Sequence, residues 1–208
     1  MNREYHKWFS ERLGRDMEVL LFGHGGEPVI LFPTSRGRFF QNEDFQLISQ
    51  IEDRIDAGRY TVLCVDSVDA ETWFSGAPAY DRMVRHEQYE EYILNEAVPF
   101  VQKKSSGGRM TLGGCSLGGF HAVNIGLRHP HLFQRVLTMG GSFETEQFLG
   151  GYHDERVYFH SVFNWLPDAP DWHLDGLREQ EIILAVGEHD FCRPSNERLS
   201  KLLWDKGV

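Results

Sequence analysis

Short apolar runs bounded by glycine, proline and polar clusters alternate along this chain with stretches in which apolar residues recur every three or four positions. Residues 17–22 and 29–32 read as strands flanking a Gly/Pro-rich turn at 23–28, which predicts an opening hairpin. Phe45, Leu47, Ile48, Ile51 and Ile55 follow helical spacing, with Gly58 as a stop, and residues 60–65 read as a buried strand. A long helix is predicted over about 85–104, carrying Tyr89, Tyr92, Ile93 and Val101 on its apolar stripe and Lys103 and Lys104 at the end where the helix dipole favours cations. Residues 109–113 read as a short strand and 117–127 as a helix that His129-Pro130 ends. Residues 136–139 and 182–186 are the last two strands, and a final helix begins near Ser195 and stops before Gly207. Continuous apolar strands in repeated βα units predict the α/β class, with a mostly parallel sheet covered on both faces. Between the last two strands lies a polar, aromatic excursion, residues 141–178, containing Trp165, Pro167, Pro170 and Trp172 and long enough to roof a site. No repeat, linker or low-complexity tract divides the chain, so residues 1–208 are expected to form one domain.

Composition narrows the partners. With 41% hydrophobic and 13% aromatic residues, 208 residues can bury a full core. The formal net charge of −10 argues against nucleic acid and against an anionic membrane, both of which reward clustered Lys and Arg. No long apolar run is present and the first residues lack the apolar core of a signal peptide, which predicts a cytoplasmic protein. Cys64, Cys115 and Cys192 are odd in number and lack metal-like spacing, so reduced structural thiols and no metal are expected.

Chemistry enters with Gly114-Cys115-Ser116-Leu117-Gly118, set between a predicted strand and a predicted helix. A sharp strand-to-helix turn forces a strained backbone at Ser116, and small residues two positions away let strand and helix pass closely, as Gly114 and Gly118 allow. This is the pattern of a nucleophile elbow, with Ser116 as the attacking hydroxyl. The turn would place the Leu117 N–H at a helix N-terminus, where it can stabilise a developing oxyanion. The loop after the strand at 29–32, Pro33-Thr34-Ser35-Arg36-Gly37, should supply a second donor. Ser35 is favoured there over Thr34, because Pro33 has no N–H. Trp73, Phe74 and Phe143 are candidate pocket walls that would serve equally well as core.

The run Gly113 to Ala122, followed by Arg128-His129-Pro130-His131-Leu132-Phe133 and Thr138-Met139-Gly140-Gly141, resembles the esterase-D-like branch of the α/β-hydrolases over most of the chain. The resemblance implies an α/β-hydrolase fold and a serine carboxylesterase acting on a small-molecule ester or thioester, with an acyltransferase as nearest variant and no cofactor. It also implies an acid after the strand that follows the excursion. Asp190, in Gly187-Glu188-His189-Asp190, occupies that place, ahead of Glu188, Asp66 and Asp69. Family members carry the catalytic histidine one strand further on, yet only 18 residues follow Asp190 and none is His. A strand, a loop and a terminal helix of roughly 25–40 residues are therefore expected to be absent. The strand at 182–186 would then be a bare sheet edge inviting a homodimer or a swapped oligomer. His121, His153, His160, His173 and His189 are the remaining sources of an imidazole within the chain. A non-catalytic binding or assembly module is the alternative function.

Overall fold

The computed structural model describes residues 1–208. Seven strands form one sheet: β1 (Arg3–Ser10), β2 (Arg15–Phe22), β3 (Glu27–Phe32), β4 (Tyr60–Val65), β5 (Met110–Cys115), β6 (Phe133–Met139) and β7 (Glu181–Ala185). Their order is β1-β2-β4-β3-β5-β6-β7, with β1 and β2 antiparallel to their neighbours and the rest parallel. The mostly parallel sheet was legible in the sequence; the opening hairpin was not. β4 separates β2 from β3, and the true hairpin partner of β2 is β1. Periodicity hid β1 because three of its four inward positions, Glu4, His6 and Ser10, are polar and only Trp8 is apolar. Trp8 and Ser10 donate hydrogen bonds to Glu96 there, while Tyr5 and Phe9 face outward and are exposed.

Alternation along the buried strands sorts side chains to two faces. Leu21, Ile30, Leu63 and Leu112 point into the larger core, beneath α4 (Ala79–Tyr92), α5 (Val98–Lys104), α6 (Leu117–Arg128) and α10 (Arg193–Asp205). A π-helical turn, Ile93–Ala97, joins α4 to α5. It lies just before Pro99, which has no N–H for the carbonyl of residue 95. Leu20, Phe22, Val29, Leu31, Val62 and Cys64 form the smaller core on the other face, with Ile48 and Ile55. The helix expected over 45–55 is here two short pieces, α2 (Leu47–Gln50) and α3 (Glu52–Asp56), preceded by a separate turn, α1 (Gln41–Asp44). Gln46 sits at φ 63°, a left-handed conformation that no α-helix can contain.

Those short helices cover only the middle of their face. Beyond them a groove of about 500 Å³, lined by Leu31, Ile51, Gly113, Leu137 and Met139, stays open. Coverage of both faces is thus partial. β7 pairs with β6 on one side and has no strand on the other. The excursion folds as short helices, among them α7 (Glu155–Phe159), α8 (Val162–Trp165) and α9 (Asp171–Arg178). It runs from the end of β6 down the flank of α6, where His173 bonds the Leu127 carbonyl and Gly176 lies against Pro130. Because the excursion clads that flank, residues 117–127 of α6 are all buried.

Candidate active site

β5 lies inside the sheet, and at its end the chain turns directly into α6 through Ser116, at φ 54° and ψ −121°. An L-residue holds such a conformation only when its surroundings over-determine it. The Ser116 N–H donates to the Met139 carbonyl at 3.1 Å, while its own carbonyl accepts from Gly119, Phe120 and Ser142. The glycines serve as the pattern requires. A Cβ on Gly114 would stand 2.5 Å from the Gly118 carbonyl, and one on Gly118 would stand 2.5 Å from the Pro33 oxygen. The Ser116 side chain is half-buried and its hydroxyl bonds no protein group.

Asp190 arrives from the loop after β7. Its carboxylate accepts the Cys192 N–H at 2.8 Å, and its other oxygen presses on Gly140, where an added Cβ would approach to 2.6 Å. Ser116 is bonded to Met139 and Asp190 lies on Gly140, so the serine and the acid flank consecutive residues at the end of β6. Gly140 is at φ 57°. Gly140→Ala is expected to cost about 1–2 kcal/mol for that conformation alone, plus a contact penalty that Gly14→Ala, at φ 61° in open space, does not incur. Urea unfolding of both variants checks this: the excess at 140 should vanish in an Asp190→Ala background, and an unchanged excess would place the carboxylate elsewhere.

In the loop after β3 the N–H groups can be counted. Thr34 donates to Gln41 at 2.6 Å, Arg36 to Asp69 at 3.1 Å and Gly37 to the Thr34 carbonyl at 2.8 Å. Ser35 alone has a free N–H, on an exposed residue. Leu117, as the first residue of α6, has no intrahelical acceptor for its N–H. Burial raises both neighbouring thiols, Cys115 and Cys192, the latter helped by the charge of Asp190, so both stay protonated at neutral pH.

Trp73 and Phe143 are core residues, 3% and 1% exposed. Trp73 packs on His86 and Phe120, and the Phe143 ring fills the space that Gly141 leaves. Phe74 is more open, stacked beneath the Arg36 guanidinium at 4.4 Å and against Phe148 of the excursion. No imidazole bonds Ser116 or Asp190. His121 pairs with Asp69, His160 with Asn124 and Arg128, and His173 with a backbone carbonyl; His153 and His189 are exposed and have no hydrogen-bond partner. Asp66 is bound by Arg38.

A family model described as "Putative esterase" matches residues 10–198. The chain belongs to this esterase family. By family it is an ester hydrolase, and its α/β-hydrolase fold recurs in solved structures. A ferulic acid esterase superposes with a TM-score of 0.79 at 17% identity, over 100% of this chain and 86% of that one. The S-formylglutathione hydrolase of Staphylococcus aureus gives 0.69 at 15%, with the same coverage. The enterobactin esterase of Shigella flexneri gives 0.62 at 19%, over 99% of this chain and 51% of that one. Among curated proteins no sequence matches significantly. No helix is long and apolar enough to cross a membrane.

Proposed function

We propose that this esterase works through an acyl-enzyme on Ser116, acting on a small ester or thioester. The observation that carries the reading is the strained, half-buried Ser116 between β5 and α6, with two unengaged N–H groups, Leu117 on the next residue and Ser35 in the loop after β3, which meets α6 where Pro33 touches Gly118. The Ser116 oxygen attacks the carbonyl carbon and its proton passes to an imidazole. The carbonyl oxygen, now anionic, takes hydrogen bonds from Leu117 and Ser35. Collapse breaks the bond to the alcohol or thiol, which leaves with that proton, and water then releases the acid. Asp190 would orient the imidazole. The names of the ferulic acid esterase and S-formylglutathione hydrolase relatives support the ester or thioester class.

Since none of the ten histidines bonds the serine or the acid, we infer that the imidazole comes from outside residues 1–208. In its absence turnover should fall by up to about 10⁶. A fluorophosphonate probe followed by intact mass tests this: adducts should form slowly on Ser116, accelerate at least about tenfold with added free imidazole, and be absent in Ser116→Ala. No adduct on Ser116 under either condition would overturn the serine mechanism. That outcome would favour the second reading, a non-catalytic binding or assembly module, which rests on the same lack of an imidazole partner.

A further inference from the structure

Beneath the site lies an acid–imidazole pair that the proposed chemistry does not use. Asp69, in the loop after β4, and His121, in the second turn of α6, are each 1% exposed, and Asp69 Oδ1 lies 3.0 Å from His121 Nε2. A carboxylate so deeply buried needs a partner on each oxygen. The second oxygen, Oδ2, accepts the Arg36 N–H at 3.1 Å. One carboxylate thus ties the elbow helix to the loop after β3.

The residue it holds is strained. Arg36 sits at φ 56°, and Gln46 and Ser116 are the only other non-glycine residues with positive φ. Ser35 lies between two pinned neighbours, Thr34 by Gln41 and Arg36 by Asp69, and its own N–H is the one left free. Gly118 and His121 are three residues apart and so share one face of α6, and both reach this loop. Gly118 does so by close contact with Phe32 and Pro33, and His121 through Asp69. Phe32, His86, Tyr89 and Phe120 pack around the imidazole.

We propose that the Asp69–His121 pair is a latch that fixes the Ser35 N–H relative to Ser116, making Asp69 and His121 positioning residues for the oxyanion site. The proposal rests on the serine-esterase reading for its catalytic meaning, but the latch itself has a readout that needs no activity. In the unmodified protein the amide of Arg36, though on an exposed residue, should exchange with deuterium at least about 100-fold more slowly than that of Ser35 by NMR. Equal rates would overturn the latch.

Variants separate bonding from charge. Asp69→Leu should release the Arg36 amide and slow fluorophosphonate labelling of Ser116 by about tenfold or more, approaching the 10²–10³ loss seen when an oxyanion donor is removed. Asp69→Asn can keep both bonds, accepting from Arg36 through its oxygen and donating to His121 Nε2 once that ring carries its proton on Nδ1, which has no partner. It should label at close to the parental rate. If Asp69→Leu is folded and leaves amide exchange and labelling unchanged, the pair is only core packing; if Asp69→Asn falls as far as Asp69→Leu, charge and not the latch is responsible. Should Asp69→Leu fail to fold, His121→Gln, which keeps a donor, against His121→Leu, which does not, makes the same comparison. Parental protein that shows the exchange difference but never labels would sink the esterase mechanism and leave the latch standing.

Discussion

Adding a single methyl group at residue 114 or 118 is expected to cost about 3 kcal/mol at each position. Alanine in place of a helical glycine ordinarily gains up to about 1 kcal/mol, so Gly118→Ala should stabilise α6 if propensity decided. Packing decides instead. The new Cβ would stand 2.5 Å from the Pro33 oxygen and 2.8 Å from that of Phe32, while at Gly114 it would meet the backbone of Gly118 at 2.5 Å. Backbone atoms cannot rotate away as the end of a flexible side chain can. The helix must shift off the sheet, and the loop carrying Ser35 must shift with it. Because one displacement relieves both clashes, the double variant should lose less than the two single losses added together. Gly76→Ala, with open space around it, is the control and should be near neutral. Urea midpoints measure all four, and a Gly118→Ala protein as stable as the parent would contradict the close strand–helix passage.

Acidification from pH 7 to pH 5 should remove about 2 kcal/mol of stability through His160 alone. This side chain is 3% exposed and faces Asn124, Arg128, Glu90 and His86. Burial first, opposed by Glu90 and helped by the Arg128 cation, pushes its pKa down to about 4 from the ordinary 6.5. The Arg128 and Asn124 donors also occupy Nδ1, which therefore carries no proton. Between about pH 6.5 and 4 the unfolded chain binds the proton and the folded one does not, so stability rises with pH across that window and changes no further below it. His86, held well below its ordinary value chiefly by burial, acts in the same direction. Asp66, raised by burial against the pull of Arg38, acts in the opposite direction. The check is the urea midpoint at pH 7 and pH 5 for the parent and for His160→Asn. Equal parental midpoints would remove a buried neutral His160 from the account of stability, and the variant should show a smaller pH dependence.

The elements that read correctly from sequence are those whose period matches their burial. β4 and β5 are apolar runs inside the sheet, β7 is an apolar run at its edge, and α6 follows a strand with no gap, so their boundaries fell within a few residues of the expected ones. β1 and the segment 45–55 failed for opposite reasons. In β1 the inward side chains are Glu4, His6, Trp8 and Ser10, three of them polar, with Glu4 and His6 paired to each other and Trp8 and Ser10 bonded to Glu96, which erases the apolar alternation. In 45–55 the apolar spacing is helical, but the backbone turns left-handed at Gln46 and leaves the helical region again at Ile51 (φ −118°), local conformations that spacing does not encode.

The same division runs through the candidate site. Sequence alone determined the α/β class, the bend at Ser116 and its two flanking glycines, because covalent neighbours and steric limits act within five residues. Asp190 was marked by the family resemblance, not by spacing: parallel strands put the loops after β4 and β7 at the same end of the sheet, so topology alone would have admitted Asp66 and Asp69 as well. Tertiary structure decided that Ser116 and Asp190 flank Met139, the last residue of β6, and Gly140 just beyond it, and that Trp73 and Phe143 are core. It also decided that Ser35 keeps a free N–H while its neighbours are tied down, and that Asp69 and His121, 52 positions apart, share a proton bridge. Those outcomes depend on which groups distant segments bring within about 3 Å of one another, a property of the packed chain that no local spacing contains.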